Sequence, residues 1–174
     1  MVWLPLQNFP IASLRGYQIS LPMQRHPLIE FGHGIGDHNN LFGNLGNDTF
    51  DFQEFDAVGR GTTNANSDVI MDFVTGQDKV KAFTESSTPE YTEVAASGVT
   101  SVQEAIQFAT SNDLFNHGNG DDNEYVFIAG QTNGYLIVNV NSNLTFDPNT
   151  DYTIVLQNHN TLDSFGFGDI INVS

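Results

Sequence analysis

Cysteine is absent from the 174 residues, which removes disulfide scaffolds, thiolate zinc sites and a thiol nucleophile together. Positive charge is nearly as scarce: 5 Lys and Arg stand against 21 Asp and Glu, a formal net charge of −16. A field of that sign repels nucleic acid and anionic membrane surfaces and attracts cations. No apolar run approaches the ~20 residues that a membrane-spanning helix requires. Catalytic signatures are missing as well. None of the five histidines sits in a His-Glu-x-x-His motif, and neither a Gly-x-Ser-x-Gly elbow nor a Gly-x-x-x-x-Gly-Lys-Ser/Thr phosphate loop occurs. Acidic pairs abound, but in so acidic a chain they single out no pocket. A non-catalytic protein is expected.

What is present suits one ordinary domain with a useful core. Met1 to Glu30 stands apart, carrying Arg15, Arg25 and four of the six prolines. A secretory signal would set basic residues ahead of a continuous apolar core. Here Arg15 follows the run from Val2 to Leu14, and Pro5, Asn8 and Pro10 interrupt it. Residues 1–30 are expected as a loosely ordered leader, packed on the domain or free of it, and 31–174 as the folded domain.

The most informative stretch is Gly43-Asn44-Leu45-Gly46-Asn47-Asp48-Thr49-Phe50. Its glycines allow positive φ and inward-turned carbonyls. Asp48 supplies a hard carboxylate oxygen of the kind calcium takes, and Phe50 opens a strand. Nine residues earlier, Gly34, Asn39 and Leu41 repeat Gly43, Asp48 and Phe50 in degraded form. Asn39 there still offers an oxygen, with one charge fewer. A glycine-rich surface loop without metal is the plain alternative. His33 and His38 lack a third ligand at zinc spacing and are expected as solvated loop histidines.

Further along, Thr49-Phe50-Asp51-Phe52 alternates, and residues 59–66 form a polar loop. Asp68-Val69-Ile70-Met71-Asp72-Phe73 then leads through Gly76 to Asp78-Lys79-Val80-Lys81-Ala82-Phe83, expected as two short strands around a turn. Ser101-Val102-Gln103-Glu104 is a capping box. It opens one helix with Val102, Ala105, Ile106, Phe108 and Ala109 on its apolar face, ending near Asn112. From Asn116 to Asn123 the chain is polar. Asp121 and Asp122 offer oxygens there, but the Glu that completes an EF-hand loop is missing, so a solvated turn is expected. Glu124–Ala129, Tyr135–Val140 and Tyr152–Leu156 read as an antiparallel meander, and Leu162, Phe165, Phe167, Ile170 and Ile171 close the chain.

The turn at Gly43–Phe50 resembles the nonapeptide Gly-Gly-x-Gly-x-Asp-x-(apolar)-x of RTX proteins, whose copies stack into a parallel β-roll. Asn44 stands where that repeat has glycine, and in the earlier copy Asp37 replaces another. Asp68-x-Ile70-x-Asp72-Phe73 with Asp78-Lys79-Val80 resembles the segment after the last repeats in serralysin-type C-terminal domains. From Gly34 onward the order of segments is similar to the cyanobacterial "bluetail" domain of surface proteins. This resemblance implies a mostly β fold: a short calcium-binding parallel β-roll remnant over 31–83, a linker plus helix over 84–123, and an antiparallel sheet as cap over 124–174. It implies Ile70, Phe73, Val80 and Phe83 as core. It implies a calcium-lining set of Gly34, Asp37, Asn39, Gly43, Asn44, Gly46, Asp48, Asp68 and Asp72. Asp68 and Asp72 read equally as strand-edge carboxylates that discourage aggregation. The resemblance also implies calcium as cofactor, type I export, and a secreted or cell-surface location. A chain held open by self-repulsion at low calcium would then fold outside the cell. Two other functions stay open: a surface adhesin or carbohydrate-binding module with exposed Tyr and Phe of the meander against sugars, and a non-catalytic fragment of a secreted hydrolase.

Overall fold

Ten short strands and one α-helix carry the described chain. In order they are β1 (Ile29–Phe31), β2 (Asn40–Leu41), β3 (Thr49–Asp51), β4 (Val69–Ile70), β5 (Lys79–Phe83), β6 (Glu90–Ala95), α1 (Val102–Ser111), β7 (Asn123–Ala129), β8 (Gly134–Val138), β9 (Tyr152–Leu156) and β10 (Ile170–Val173). The computed structural model describes residues 29–31, 38–52, 61–116 and 122–173. Apart from residues 29 and 30, the expected leader lies outside these, as do Gly34, Asp37, His33 and Asp121. The protein is mostly β, with both parallel and antiparallel strand pairs. β1 straddles the expected boundary between leader and domain.

Side-chain alternation assigns the faces. In β3 and β5 every second residue is buried, Phe50 in one and Val80 and Ala82 in the other, the period of a sheet with one wet face. These strands belong to a four-stranded, wholly parallel sheet ordered β1–β3–β5–β10. Its outer face carries the Lys81–Asp51 pair at 3.1 Å. The second sheet is ordered β2–β4–β9–β8–β7–β6. The chain passes from one sheet to the other at each step from β1 to β5. Leu41 and Phe50, nine residues apart, therefore sit in opposite sheets and meet in one core. Ile70 and Val80 repeat that relation in the next pass, with Leu41 beside Ile70 and Phe50 beside Val80 in the parallel ladders.

This topology bears out one expectation about the fold and corrects two. The two short strands expected around a turn are present as β4 and β5; they lie in different sheets and bring Ile70 and Val80 into one core. The meander over β7, β8 and β9 is antiparallel as expected, yet it is no separate cap. β9 joins β4 in parallel and β10 returns to β5, so the last strands extend both sheets. The linker over 84–123 contains β6, parallel to β7. Its mixed burial gives no clear alternation, which hid it.

α1 covers the other face of the six-stranded sheet. Val102, Ala105 and Ala109 pack on Val126, Ile128 and Ile137. β7, β8 and β9 are consequently buried on both faces, which explains their unbroken apolar runs. Ser101 Oγ accepts from Glu104 N at 3.2 Å, as the capping box requires. The Glu104 carboxylate reaches one residue further back than expected, to Thr100 N and Oγ, each at 2.7 Å. Loop 61–66 secures the same helix end, since Asn64 Oδ1 accepts from Val102 N at 2.7 Å.

Phe50 is 0 % exposed and packs against Phe73 at 6.2 Å between ring centroids. Phe50→Ala removes the side chain on which both parallel passes converge and is expected to cost about 3–5 kcal/mol. Urea denaturation at constant m-value measures this; a loss below about 1 kcal/mol would deny Phe50 that central place.

Candidate functional site

Each passage from the six-stranded to the four-stranded sheet is a turn: residues 42–48, 71–78 and 157–169. Because β2, β4 and β9 are neighbours, and β3, β5 and β10 likewise, the three turns stack along one edge. A tight turn leaves backbone amides without ladder partners, and a buried amide must find an acceptor. The sequence meets that demand with an aspartate immediately before the strand. Asp48 precedes β3, Asp68 β4, Asp78 β5, Asp151 β9 and Asp169 β10. A short carboxylate presents two acceptor oxygens close to the main chain.

The geometry is consistent from turn to turn. Asp78 accepts from Val74 N of its own turn at 2.8 Å and from Asp48 N of the preceding turn at 3.0 Å. Asp169 does the same with Gly166 N at 3.2 Å and Gly76 N at 2.9 Å, and Lys79 Nζ lies 3.5 Å from it. Asp151 closes the loop between β8 and β9, accepting from Asp147 N at 2.7 Å and Val140 N at 2.9 Å. His159 adds a further tie: its ring nitrogens lie 2.7 Å from Ser164 O and 3.0 Å from Phe73 O.

The residues expected to line a calcium site fall into this network. Asp72 accepts from Gly43 N at 2.9 Å and Asn44 N at 2.8 Å. Asp68 Oδ1 accepts from Asn39 N at 3.0 Å and Asn39 Nδ2 at 2.9 Å. Asn39, Gly43 and Asn44 thus turn N–H groups toward carboxylates of the next pass. Asn44 has φ 65°, the left-handed conformation that asparagine tolerates better than most residues, so it does the backbone work of the glycine it replaces. Gly43 is required for another reason: a Cβ there would lie 2.8 Å from Asp48 Oδ2 and 2.9 Å from Asp48 Cβ. Gly46 has φ 155°. Asp48 is buried against Gly43. Gly34 and Asp37 lie outside the described residues. His38 is exposed.

Asp78, Asp151 and Asp169 escaped the sequence reading although a signal exists. Gly46-Asn47-Asp48-Thr49-Phe50 recurs as Gly76-Gln77-Asp78-Lys79-Val80, and Gly76 has φ 76°. The copy is displaced by 30 residues rather than nine, because the chain between β3 and β4 lengthens the pass.

Electrostatics follow from stacking acids. Burial raises the pKa of Asp78; the Asp48 and Val74 amides pull it back, and the charges of Asp48 and Asp72 push it up again. Among the described residues no three side chains of His, Cys, Asp or Glu converge as a metal-holding group. Calcium also draws on backbone and amide carbonyls. Asp48, Asp72 and Asp78 carry hard carboxylate oxygens, the donor type that cation takes. The aromatic stacking imagined for an adhesin has no surface in the meander, where Tyr125, Phe127, Tyr135 and Tyr152 are buried. No described helix is long and apolar enough to cross a membrane.

Asp151 gives a pH signature. Burial raises its pKa from 3.8 to about 6 despite the opposing hydrogen bonds from Asp147, Val140 and Thr150. With the folded value above the unfolded one, the folded state holds an extra proton between about pH 4 and 6. The resulting stabilisation is full below pH 4 and is lost as pH rises through about 6. Wild type is therefore expected to lose stability relative to Asp151→Asn across that window in urea titrations, and a pH-independent difference would contradict the shift. Comparison with protein-family models and with curated proteins gives no match for this chain.

Proposed function

We propose that the chain is a non-catalytic, calcium-responsive module of a secreted or cell-surface protein, a short β-roll of the RTX kind continued by its antiparallel strands. The observation that carries this is the nine-residue step from Leu41 to Phe50 between the two sheets, each in a parallel pair. Ile70 to Val80 makes the same crossing in ten residues, past the Gly-x-Asp turn at Asp78, which the ladder brings next to Asp48. The excess of 21 acidic over 5 basic residues supports the same reading, since it opposes compaction until a cation offsets it. Asp48 and Asp78, with turn carbonyls, would hold the ion. Bound calcium supplies positive charge that relieves the repulsion among Asp48, Asp72 and Asp78. Asp68 and Asp72 contribute by fixing the backbone of Asn39, Gly43 and Asn44 in the folded state. Type I export and folding outside the cell belong to this proposal.

Thermal melts in millimolar calcium and in chelator test it. A ligand at about 100 times its Kd adds ~2.7 kcal/mol, and a rise in Tm of several degrees is expected in calcium. Asp48→Asn should reduce that rise. Identical melting temperatures and circular dichroism in calcium and in chelator would sink the proposal.

A further inference from the structure

β6 forms one margin of the six-stranded sheet and pairs with β7 on one side only. Ala96 N donates to Ala129 O at 2.8 Å, and the register runs unbroken from Tyr91 to Ala95. Main-chain groups point to alternate sides along a strand. Thr92 and Val94 therefore turn theirs to β7 with Ala96, while Tyr91, Glu93 and Ala95 turn theirs outward. Among the described residues those outward N–H and C=O groups meet no hydrogen-bond partner. An open edge is commonly guarded by lysine or proline. β6 contains neither, and its charged residues are Glu90 and Glu93.

A carboxylate guard selects by sign. A second copy, itself carrying a charge of −16, would set Glu93 against Glu93 if it paired antiparallel about the middle of β6, and like charges directly opposite are destabilising. A basic segment instead complements Glu90 and Glu93. The two faces beside the edge supply more than charge. On the α1 face, where Val94 packs, a groove of about 570 Å³ is lined by Val99, Glu104, Gln107 and Phe108 beside Ala95 and Ala96. On the opposite face Tyr91 stacks on Phe167 at 5.9 Å between ring centroids and donates its hydroxyl to Glu93 at 2.7 Å. Phe167 is 47 % exposed. An added strand would place successive side chains on alternate faces. On each it would meet one aromatic ring and one carboxylate, Phe108 with Glu104 and Phe167 with Glu93.

We propose that β6 is a docking edge for an extended basic segment of a partner protein, which joins the sheet as a further strand with basic and apolar side chains alternating on each face. NMR titration of the isotope-labelled full chain, with calcium held constant, tests it. The probe is the capped peptide Lys-Lys-Val-Val-Lys-Lys-Val-Val, which as a strand sets Lys and Val alternately on both faces. Its comparator carries Glu in place of Lys. The amides of Glu93 and Ala95 are expected to exchange freely in the chain alone, and the lysine probe is expected to shift and protect them. The glutamate peptide, and Glu93→Lys with the lysine probe, are each expected to bind about tenfold more weakly. Ala95→Pro removes an outward amide that an edge strand can lose and is expected to weaken binding about tenfold as well. Circular dichroism checks that both variants fold. Protection of Glu93 and Ala95 without the probe, whether by a second copy or by another part of this chain, would overturn the proposal. So would probe binding that leaves those two amides unmoved, equal binding of the glutamate peptide, or unchanged binding in both variants.

Discussion

The interaction on which the fold depends is the hydrogen bond from a turn amide to the carboxylate of a pre-strand aspartate. Two sheets joined by repeated crossings need tight turns on each pass, and every such turn strands amides that no ladder can reach. Asp78 and Asp169 each join an amide of their own turn to one in the turn before. Hydrogen bonds to charged groups contribute about 1.5–3 kcal/mol each, so these contacts are strong enough to set the spacing of the passes. Their cost is electrostatic. Stacking the turns stacks the acids, and burial raises Asp78 and Asp151 toward protonation.

Where the sequence was legible, the local chemistry had no competing outcome. Ser101 with Glu104 could only begin a helix, and the apolar runs of β7, β8 and β9 could only be buried. The nine-residue echo of Phe50 in Leu41 was visible too, and it is the distance from one sheet to the other. Pairing partners were not legible. β4 has two residues and could not reveal whether its neighbour would be β5 or the far more distant β9. β6 stayed hidden because its side chains are neither cleanly in nor out.

The candidate site was half legible for a similar reason. Residue types marked Asp68 and Asp72 as useful carboxylates, while only the topology shows that they face N–H groups of Asn39, Gly43 and Asn44. Asn44 illustrates how a departure from a repeat can preserve its geometry, since φ 65° needs a tolerant residue rather than glycine itself. The meander aromatics looked like a binding surface because their number was visible and the covering layers were not. With the four-stranded sheet on one face and α1 on the other, Tyr125, Phe127 and Tyr135 are core.

Hydrogen exchange resolved to single residues tests the role of the aspartates most directly. The amides of Gly43, Asp48, Val74 and Gly76 donate to carboxylates, whereas those of Met71 and Lys79 donate to neighbouring backbone carbonyls. Protection of the first four equal to that of Met71 and Lys79 is expected if the aspartates hold the turns. Exchange of those four at the rate of an open loop, with Met71 and Lys79 still protected, would contradict it.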